Sequence, residues 1–374
     1  MHKYFKNGAR RTAAALAALL IVCMVSNEHF RSTAAALAAL LIAALLGTML
    51  QGCLGKEPGD TTSTADPGSS HNPATSGTPG TSGTPSGTTD GRSDGTDTEP
   101  QRQIEIPANA IDAAQAIIYD TTARRTLFSH NGVIDGKVYP ASTTKLFTAW
   151  VALQYLAPDD VITAGDELSL VAKDASIAYI RRGHKLTAAM LVEAMLLPSG
   201  GDAAYVIAAA AGRKIRGNED ISATAAISAF VGEMNSRLAA LGLNGTHFCN
   251  PDGYHDPQHY TTLEDIAKIG ALALENETIM KYTRLASDRV VYASGQTNNW
   301  KNTNELIQPD SLYYRADAIG LKTGSTDEAG YCVLTAARGD DGRIYIIGVF
   351  GASTSNARFA DAGVLIDYAT GKRS

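Results

Sequence analysis

The chain beyond about residue 105 predicts an α+β domain: an antiparallel sheet built from both ends of the segment, with a helical cluster on it. Three observations predict it. Strand-like runs rich in Ile, Val, Tyr and Thr lie at both ends of the segment. Helix-period patterns fill the middle. No repeat of about 20–50 residues breaks this layout into a solenoid or propeller.

Each element follows from a local pattern. Residues 116–120 (AIIYD) and 126–129 read as two strands joined by a turn. Residues 144–156 read as a helix that is apolar on most faces and therefore buried. Residues 187–196 and 202–211 read as helices separated by Pro198-Ser199-Gly200-Gly201, and residues 223–241 as a long amphipathic helix. Thr261 and Glu264 have the spacing of a capping box, which starts another helix. Residues 290–292, 319–322, 331–336 and 344–350 are β-rich, the last two joined by a Gly339-Asp340-Asp341-Gly342 turn. Residues 356–369 read as a closing helix.

The rest of the 374 residues divides sharply from this domain. Residues 1–53 are largely Ala and Leu, and residues 54–104 contain no aromatic side chain. Residues 105–374, about 270 in all, are enough to bury a substantial core. A formal charge of -6 argues against nucleic acid, which wants clustered Lys and Arg. Cys23, Cys53, Cys249 and Cys332 show no CxxC pairing, so neither a zinc site nor a thioredoxin-like motif is indicated. Export permits a Cys249–Cys332 disulfide, and a buried free thiol at Cys332 fits its apolar strand equally well.

The first residues look like an address. Lys3, Lys6, Arg10 and Arg11 precede an apolar run over 12–25, and a second run covers 33–50. A basic start followed by an apolar stretch is the pattern of an export signal. The ten letters TAAALAALLI occur at 12–21 and again at 33–42. The second run ends Leu50-Gln51-Gly52-Cys53, which resembles a bacterial lipobox and makes Cys53 the candidate lipidated residue. Gln51 departs from the small residue usual at its place. A plain membrane helix with a coincidental cysteine is the alternative. Two spans in series would return the domain to the side where the chain began; a duplicated signal and a start at Met24 each remove that conflict. Residues 54–104 have too few apolar side chains to offset the entropy of ordering, so they read as a disordered linker. As a flexible coil such a tether reaches roughly 40 Å root-mean-square.

Three short patterns carry chemistry. Ser142-Thr143-Thr144-Lys145 sets a lysine three residues after a serine at a helix start, on one face. A serine hydroxyl needs a base to become a nucleophile, and a lysine of lowered pKa can be that base. Alone, the spacing is expected about once by chance in a chain of this length. Ser199-Gly200-Gly201 sits between two helices, where Ser199 either points into a cleft or caps the helix that follows. Lys322-Thr323-Gly324 lies on a predicted strand. Adjacent side chains face opposite sides of a regular strand, so Lys322 and Thr323 share a cleft only at an edge or a distortion. Gly324 leaves room for a substrate backbone.

In this order the three patterns resemble the serine penicillin-recognising enzymes, whose signature includes S-x-x-K and K-T-G. The stretches Tyr139-Pro140-Ala141-Ser142-Thr143-Thr144-Lys145, Leu196-Leu197-Pro198-Ser199-Gly200-Gly201-Asp202-Ala203, His247-Phe248-Cys249-Asn250-Pro251-Asp252-Gly253, His255-Asp256-Pro257 and Trp300-Lys301-Asn302-Thr303-Asn304 narrow it. They look like low-molecular-weight D-alanyl-D-alanine carboxypeptidases over about residues 108–370. The resemblance implies the penicillin-binding-protein/β-lactamase-like transpeptidase fold, an antiparallel sheet flanked by helices with an all-helical subdomain. It implies Ser142 as nucleophile, Lys145 as its base and Ser199 as proton carrier to the leaving D-Ala. It further implies Lys322 and Thr323 as binders of the substrate carboxylate, with the backbone N–H groups of Ser142 and Ser325 as oxyanion hole. Like-charge repulsion from Lys322 is expected to keep Lys145 neutral. The implied partners are peptidoglycan stem peptides ending in D-Ala-D-Ala, with β-lactams as inhibitors, and the membrane through an N-terminal lipid or apolar segment. No metal or cofactor is expected, and His247, His255 and His259 fall in a loop without ligand spacing.

Two departures stand out. The middle motif usually ends in Asn, and Gly201 takes that place. With Ser374 as the last residue, the extra β-domain and membrane helix common at the C-terminus of relatives are expected to be missing, and an N-terminal lipid is expected as the anchor instead. A D,D-endopeptidase using the same residues and a non-catalytic β-lactam-sensing or wall-binding lipoprotein are the rival readings. A class A β-lactamase needs a glutamate for deacylation, and no equivalent loop is evident.

Overall fold

A computed structural model describes residues 103–107, 109–131 and 136–373. The signal and lipobox region, Cys53 and nearly all of the linker lie outside the described residues.

Five antiparallel strands form the main sheet: β1 (Gln115–Asp120), β2 (Arg125–His130), β7 (Ala318–Thr326), β8 (Gly330–Arg338) and β9 (Ile344–Ala352), in the order β2-β1-β9-β8-β7. The first strand therefore pairs with the last, with Ile118 opposite Ile347. Two hairpins lie outside this sheet, β3 (Val161–Thr163) with β4 (Lys185–Thr187) and β5 (Ser287–Val291) with β6 (Thr297–Lys301). Between β2 and β7 come α1 (Lys145–Ala152), α2 (Ala188–Leu196), α3 (Gly201–Arg216), α4 (Ala223–Ala240), α5 (Leu263–Leu274) and α6 (Glu277–Thr283), and α7 (Ser355–Ala369) closes the chain. The expected α+β layout holds.

The strands alternate between two cores. Ile117, Tyr119, Leu334, Ala336 and Ile346 face the helical side, while Ala116, Ile118, Val333, Ala337 and Ile347 face the opposite one. There α7 covers the sheet with Phe359, Ala362, Leu365, Ile366 and Ala369. With both faces covered, the strands read as near-continuous apolar runs rather than as a clean alternation. On the helical side α1 is the hub. It packs against α2, α3, α4, α5 and α6, and only Trp150 of its residues is not fully buried. Ala226, Phe230, Met234 and Leu238 make the buried stripe of α4, spaced four apart as a helix face requires.

Hydroxyl and amide side chains start most helices. Thr187, Ser222, Asn276 and Thr354 each accept a backbone N–H of the first turn, a cap that stabilises by about 1 kcal/mol. The expected Thr261–Glu264 capping box is corrected by one residue. Thr262 is the cap of α5 and accepts from Asp265 N, while the Thr261 hydroxyl is buried against Thr246. The Asp265 carboxylate does not reach back to close a box; it accepts from Gly245 N and Thr246 Oγ1. The first helix ends at Ala152, earlier than expected, and residues 153–156 continue as turns. The β-rich segment expected at 290–292 belongs to β5, which starts earlier, at Ser287, and ends before Tyr292. Among the described residues, no helix is long and apolar enough to cross a membrane.

Candidate active site

Ser142 sits in a 3-10 turn, Ala141–Thr144, that runs straight into α1. In that turn side chains three apart eclipse one another, a tighter alignment than an α-helix gives. Lys145 Nζ lies 2.8 Å from Ser142 Oγ and donates a second bond, of 2.5 Å, to the carbonyl of Asp252. Lys145 is 2% exposed, so the contact is made away from bulk water.

The backbone around Ser142 is held by contacts from two remote segments. Ala141 has a φ of 46°, the left-handed region that L-residues enter at a cost. Gly253, at φ 81°, lies so close that a Cβ there would stand 1.9 Å from Ala141 O. A Cβ at Gly324 would stand 2.9 Å from Ser142 N. Neither position has room for a side chain, and Gly253 also needs its φ. The Asn250-Pro251-Asp252-Gly253 loop is tied to α1 by Thr148 Oγ1, which donates to Pro251 O at 2.6 Å.

Ser199 also has a positive φ, 65°, and is 6% exposed. It does not cap α3. The cap residue is Gly200, which gives no side-chain bond, and the Ser199 hydroxyl makes no hydrogen bond among the described residues. Asp202 fixes this turn from within: its carboxylate accepts from the backbone N–H of Ala178, Ile180 and Ala203. Burial pushes the Asp202 carboxyl up, against the pull of those three donors.

Lys322, Thr323 and Gly324 lie on β7, the edge strand of the sheet. Lys322 is buried and donates to Thr323 O at 2.9 Å. Thr323 Oγ1 is 2.5 Å from Thr303 Oγ1, and Thr303 N donates to Leu197 O, just before the Ser199 turn. Arg358 Nη1 of α7 donates to Gly324 O at 3.2 Å, pinning the strand from the other face.

A cleft of about 880 Å³ opens beside these groups. Ser142, Lys145 and Ser325 line it, together with Asp252, Gly253 and Tyr254. Ser199, Lys322, Thr323 and Gly324 are not part of its wall, and all four are buried. Of the predicted residues of the domain, Ser142, Lys145 and Ser325 are on the open surface of the cleft.

The D-alanyl-D-alanine carboxypeptidase family matches residues 101–354. The chain belongs to that family. It is a hydrolase of the serine-peptidase class and has the penicillin-binding DD-peptidase fold. It is 37% identical over 237 residues to the D-alanyl-D-alanine carboxypeptidase of Streptomyces sp. strain K15, covering 61% of this chain and 77% of that one. It is 29% identical over 264 residues to Bacillus subtilis D-alanyl-D-alanine carboxypeptidase DacF, covering 70% of this chain and 62% of the relative. The crystal structure of the Streptomyces K15 DD-transpeptidase superposes with a TM-score of 0.62 at 31% identity, over 71% of this chain and 100% of that one. Penicillin-binding protein D2 of Listeria monocytogenes in its ampicillin-bound form gives 0.56 at 25% identity, over 70% of this chain and 99% of that one.

Within this family member, burial dominates the charge states of both lysines. It lowers Lys145, while Asp252 and Asp202 pull that lysine back up. It lowers Lys322 further, well below the ordinary lysine value, and here Lys145 and Arg358 add repulsion. Desolvation, rather than Lys322, is what acts first on Lys145. Burial pushes His259 down to about 3. Its Nδ1 accepts from Cys249 N and its Nε2 bonds Thr144 Oγ1. Cys249 and Cys332 are both free thiols, which closes the disulfide question.

Sequence reasoning quoted the His247–Gly253 stretch without giving it a task. Its task is contact: the carbonyl of Asp252 fixes Lys145, and Gly253 fixes Ala141. Thr303, within Trp300–Asn304, has a similar supporting place beside Thr323.

Proposed function

We propose that this chain removes the terminal D-Ala from peptidoglycan stem peptides through an acyl-enzyme on Ser142. The 2.8 Å contact between Ser142 Oγ and the buried Lys145 carries the reading. Burial favours the neutral amine, which takes the hydroxyl proton as Oγ attacks the carbonyl between the two D-Ala residues. The backbone N–H groups of Ser142 and Ser325 hold the oxyanion, worth about 3–4 kcal/mol per donor in comparable enzymes. Ser199 passes a proton to the departing amine. Water then cleaves the acyl-enzyme.

Lys322 and Thr323 take the terminal carboxylate by charge-assisted hydrogen bonds. In the free enzyme their partners are Thr323 O and Thr303 Oγ1, which the carboxylate replaces. A carboxylate arriving beside Lys322 favours the charged form of that lysine, and the charge in turn favours the neutral amine at Lys145. The substrate's own charge thereby primes the base. β-Lactams acylate the same serine.

Cys53, lipidated, and residues 54–104 as a tether place the catalytic domain, 105–374, on the outer side of a bacterial membrane in this proposal. The family's chemistry on cell-wall peptides and the basic-apolar start of the chain support it. A second reading has support of its own. The similar Streptomyces K15 protein is described both as a carboxypeptidase and as a DD-transpeptidase, and the same acyl-enzyme transfers to an amine when one outcompetes water.

The test is D-alanine release from a pentapeptide ending in D-Ala-D-Ala, by the full chain in mild detergent beside Ser142→Ala. Release by the parent, reduced about a thousandfold or more in the variant, supports the assignment. A folded parent that is acylated by penicillin yet releases no D-alanine overturns it. An added amine acceptor that diverts the product to a cross-linked peptide selects the transpeptidase reading.

A further inference from the structure

Gly201 stands where the family's middle motif usually ends in Asn, and the space it vacates is not empty. A Cβ built on Gly201 would stand 2.9 Å from Oδ2 of Asp252. The Asp252 carboxylate therefore occupies ground that the missing side chain would contest. Asp252 is 3% exposed and lines the cleft. Its Oδ1 accepts one long bond, 3.3 Å, from Tyr254 N, and its Oδ2 accepts none among the described residues. That oxygen is not sealed from solvent, so a donor from the cleft side can reach it.

An Asn amide can donate to a substrate carbonyl. An ionised carboxylate can only accept. The cleft thus asks its substrate for a donor where an Asn would offer one. The surrounding charge agrees. Asp174, Asp327 and Glu328 also line the cleft, and Lys145, lowered by burial, is the single Lys or Arg among its walls. Distance agrees as well. The backbone carbonyl of the same Asp252 holds Lys145, which holds Ser142, so the residue sits two hydrogen bonds from the nucleophile.

We infer that Asp252 is a specificity-determining residue that selects peptides carrying a free ammonium on the residue before D-Ala-D-Ala. This rests on the carboxypeptidase reading and names its substrate class. The ammonium donates to Oδ2 and neutralises a carboxylate that is otherwise half satisfied.

The experiment uses two peptides ending in D-Ala-D-Ala that differ only in the side-chain amine of the preceding residue, free in one and acetylated in the other. With the full chain, kcat/KM for the free amine exceeds that for the acetylated peptide by about tenfold to a hundredfold, the range for a hydrogen bond to a charged group. In Asp252→Asn the ratio falls towards one while both peptides are still cleaved, because the backbone carbonyl that holds Lys145 remains. Gly201→Asn, which presses a side chain against Oδ2, also lowers the ratio. Equal rates in the parent, or a ratio unchanged in Asp252→Asn, overturn the inference. If neither peptide releases D-alanine, the carboxypeptidase reading fails separately. The selectivity is then read from how strongly each peptide slows acylation of Ser142 by fluorescent penicillin. The free amine competing better in the parent but not in Asp252→Asn supports the inference, and equal competition overturns it.

Discussion

The catalytic cleft and the underside of α2 both bury groups that titrate, and they use burial differently. In the cleft, Lys145 and Lys322 are pushed down by desolvation, yet both keep hydrogen-bond partners. Under α2, Glu193 is 3% exposed and its Oε1 has no partner. Burial, together with the Asp288 side chain, pushes Glu193 up to about 8, with Lys281 opposing. A perturbed pKa thus appears in both places. Only in the cleft does it coincide with a nucleophile 2.8 Å away, two non-glycine residues at positive φ and an opening to solvent. The comparison teaches that the shift marks burial, and that convergence marks chemistry.

The sharpest way to break this contrast is to neutralise one group from each region. Lys322→Gln is expected to lower kcat/KM for D-Ala-D-Ala peptides about a hundredfold, with Tm little changed, since the lost group is a desolvated amine. In the same variant the acylation rate still rises with pH through a limb set by Lys145, and in the parent that limb lies below the 10.5 of a free lysine. A limb at or above the free-lysine value would remove Lys145 from the role of base.

Glu193→Gln is expected to leave peptide cleavage unchanged and to alter only the pH dependence of stability. The sign follows from the raised value. The folded state holds the Glu193 proton more tightly than the unfolded chain, so its contribution is complete below 4.5 and is lost as pH rises through about 8. The amide keeps the uncharged form at every pH. Its Tm should match the parent near pH 4.5 and exceed it above pH 8. Parallel melting curves across that range would show that Glu193 is not protonated by its surroundings.

The smallest effect is expected at the thiols. Reductant should not move the melting temperature, because Cys249 and Cys332 are unpaired. Burial raises both to about 11, so alkylation at neutral pH should be slow at Cys249 and slower at the buried Cys332.

Much of the site was legible because its chemistry is local. Ser142 and Lys145 are three apart, and Lys322, Thr323 and Gly324 are consecutive, so spacing alone relates them. What stayed hidden was non-local. The bond from Lys145 to Asp252 O spans 107 residues, and nothing in a short window announces that a backbone carbonyl will be the partner. The fold was legible where apolar runs were long, as in β9 and α7. It was missed where pairing is brief, as in the three-residue strands β3 and β4. The capping error has a similar cause. Thr261 and Thr262 are equal candidates in sequence, and Thr246, distant until the chain folds, takes the hydroxyl of the first.

The two glycines that grip the nucleophile's backbone also set a clock. Ser142 is made early, but Gly253 follows more than a hundred residues later and Gly324 arrives only with β7, later still. A nascent or truncated chain therefore has its serine and its base in one short helix and still lacks the surface that shapes them. The hydrolase stays silent until the carboxy-terminal strands have docked beside the first, and turnover becomes a report that the whole domain has been delivered.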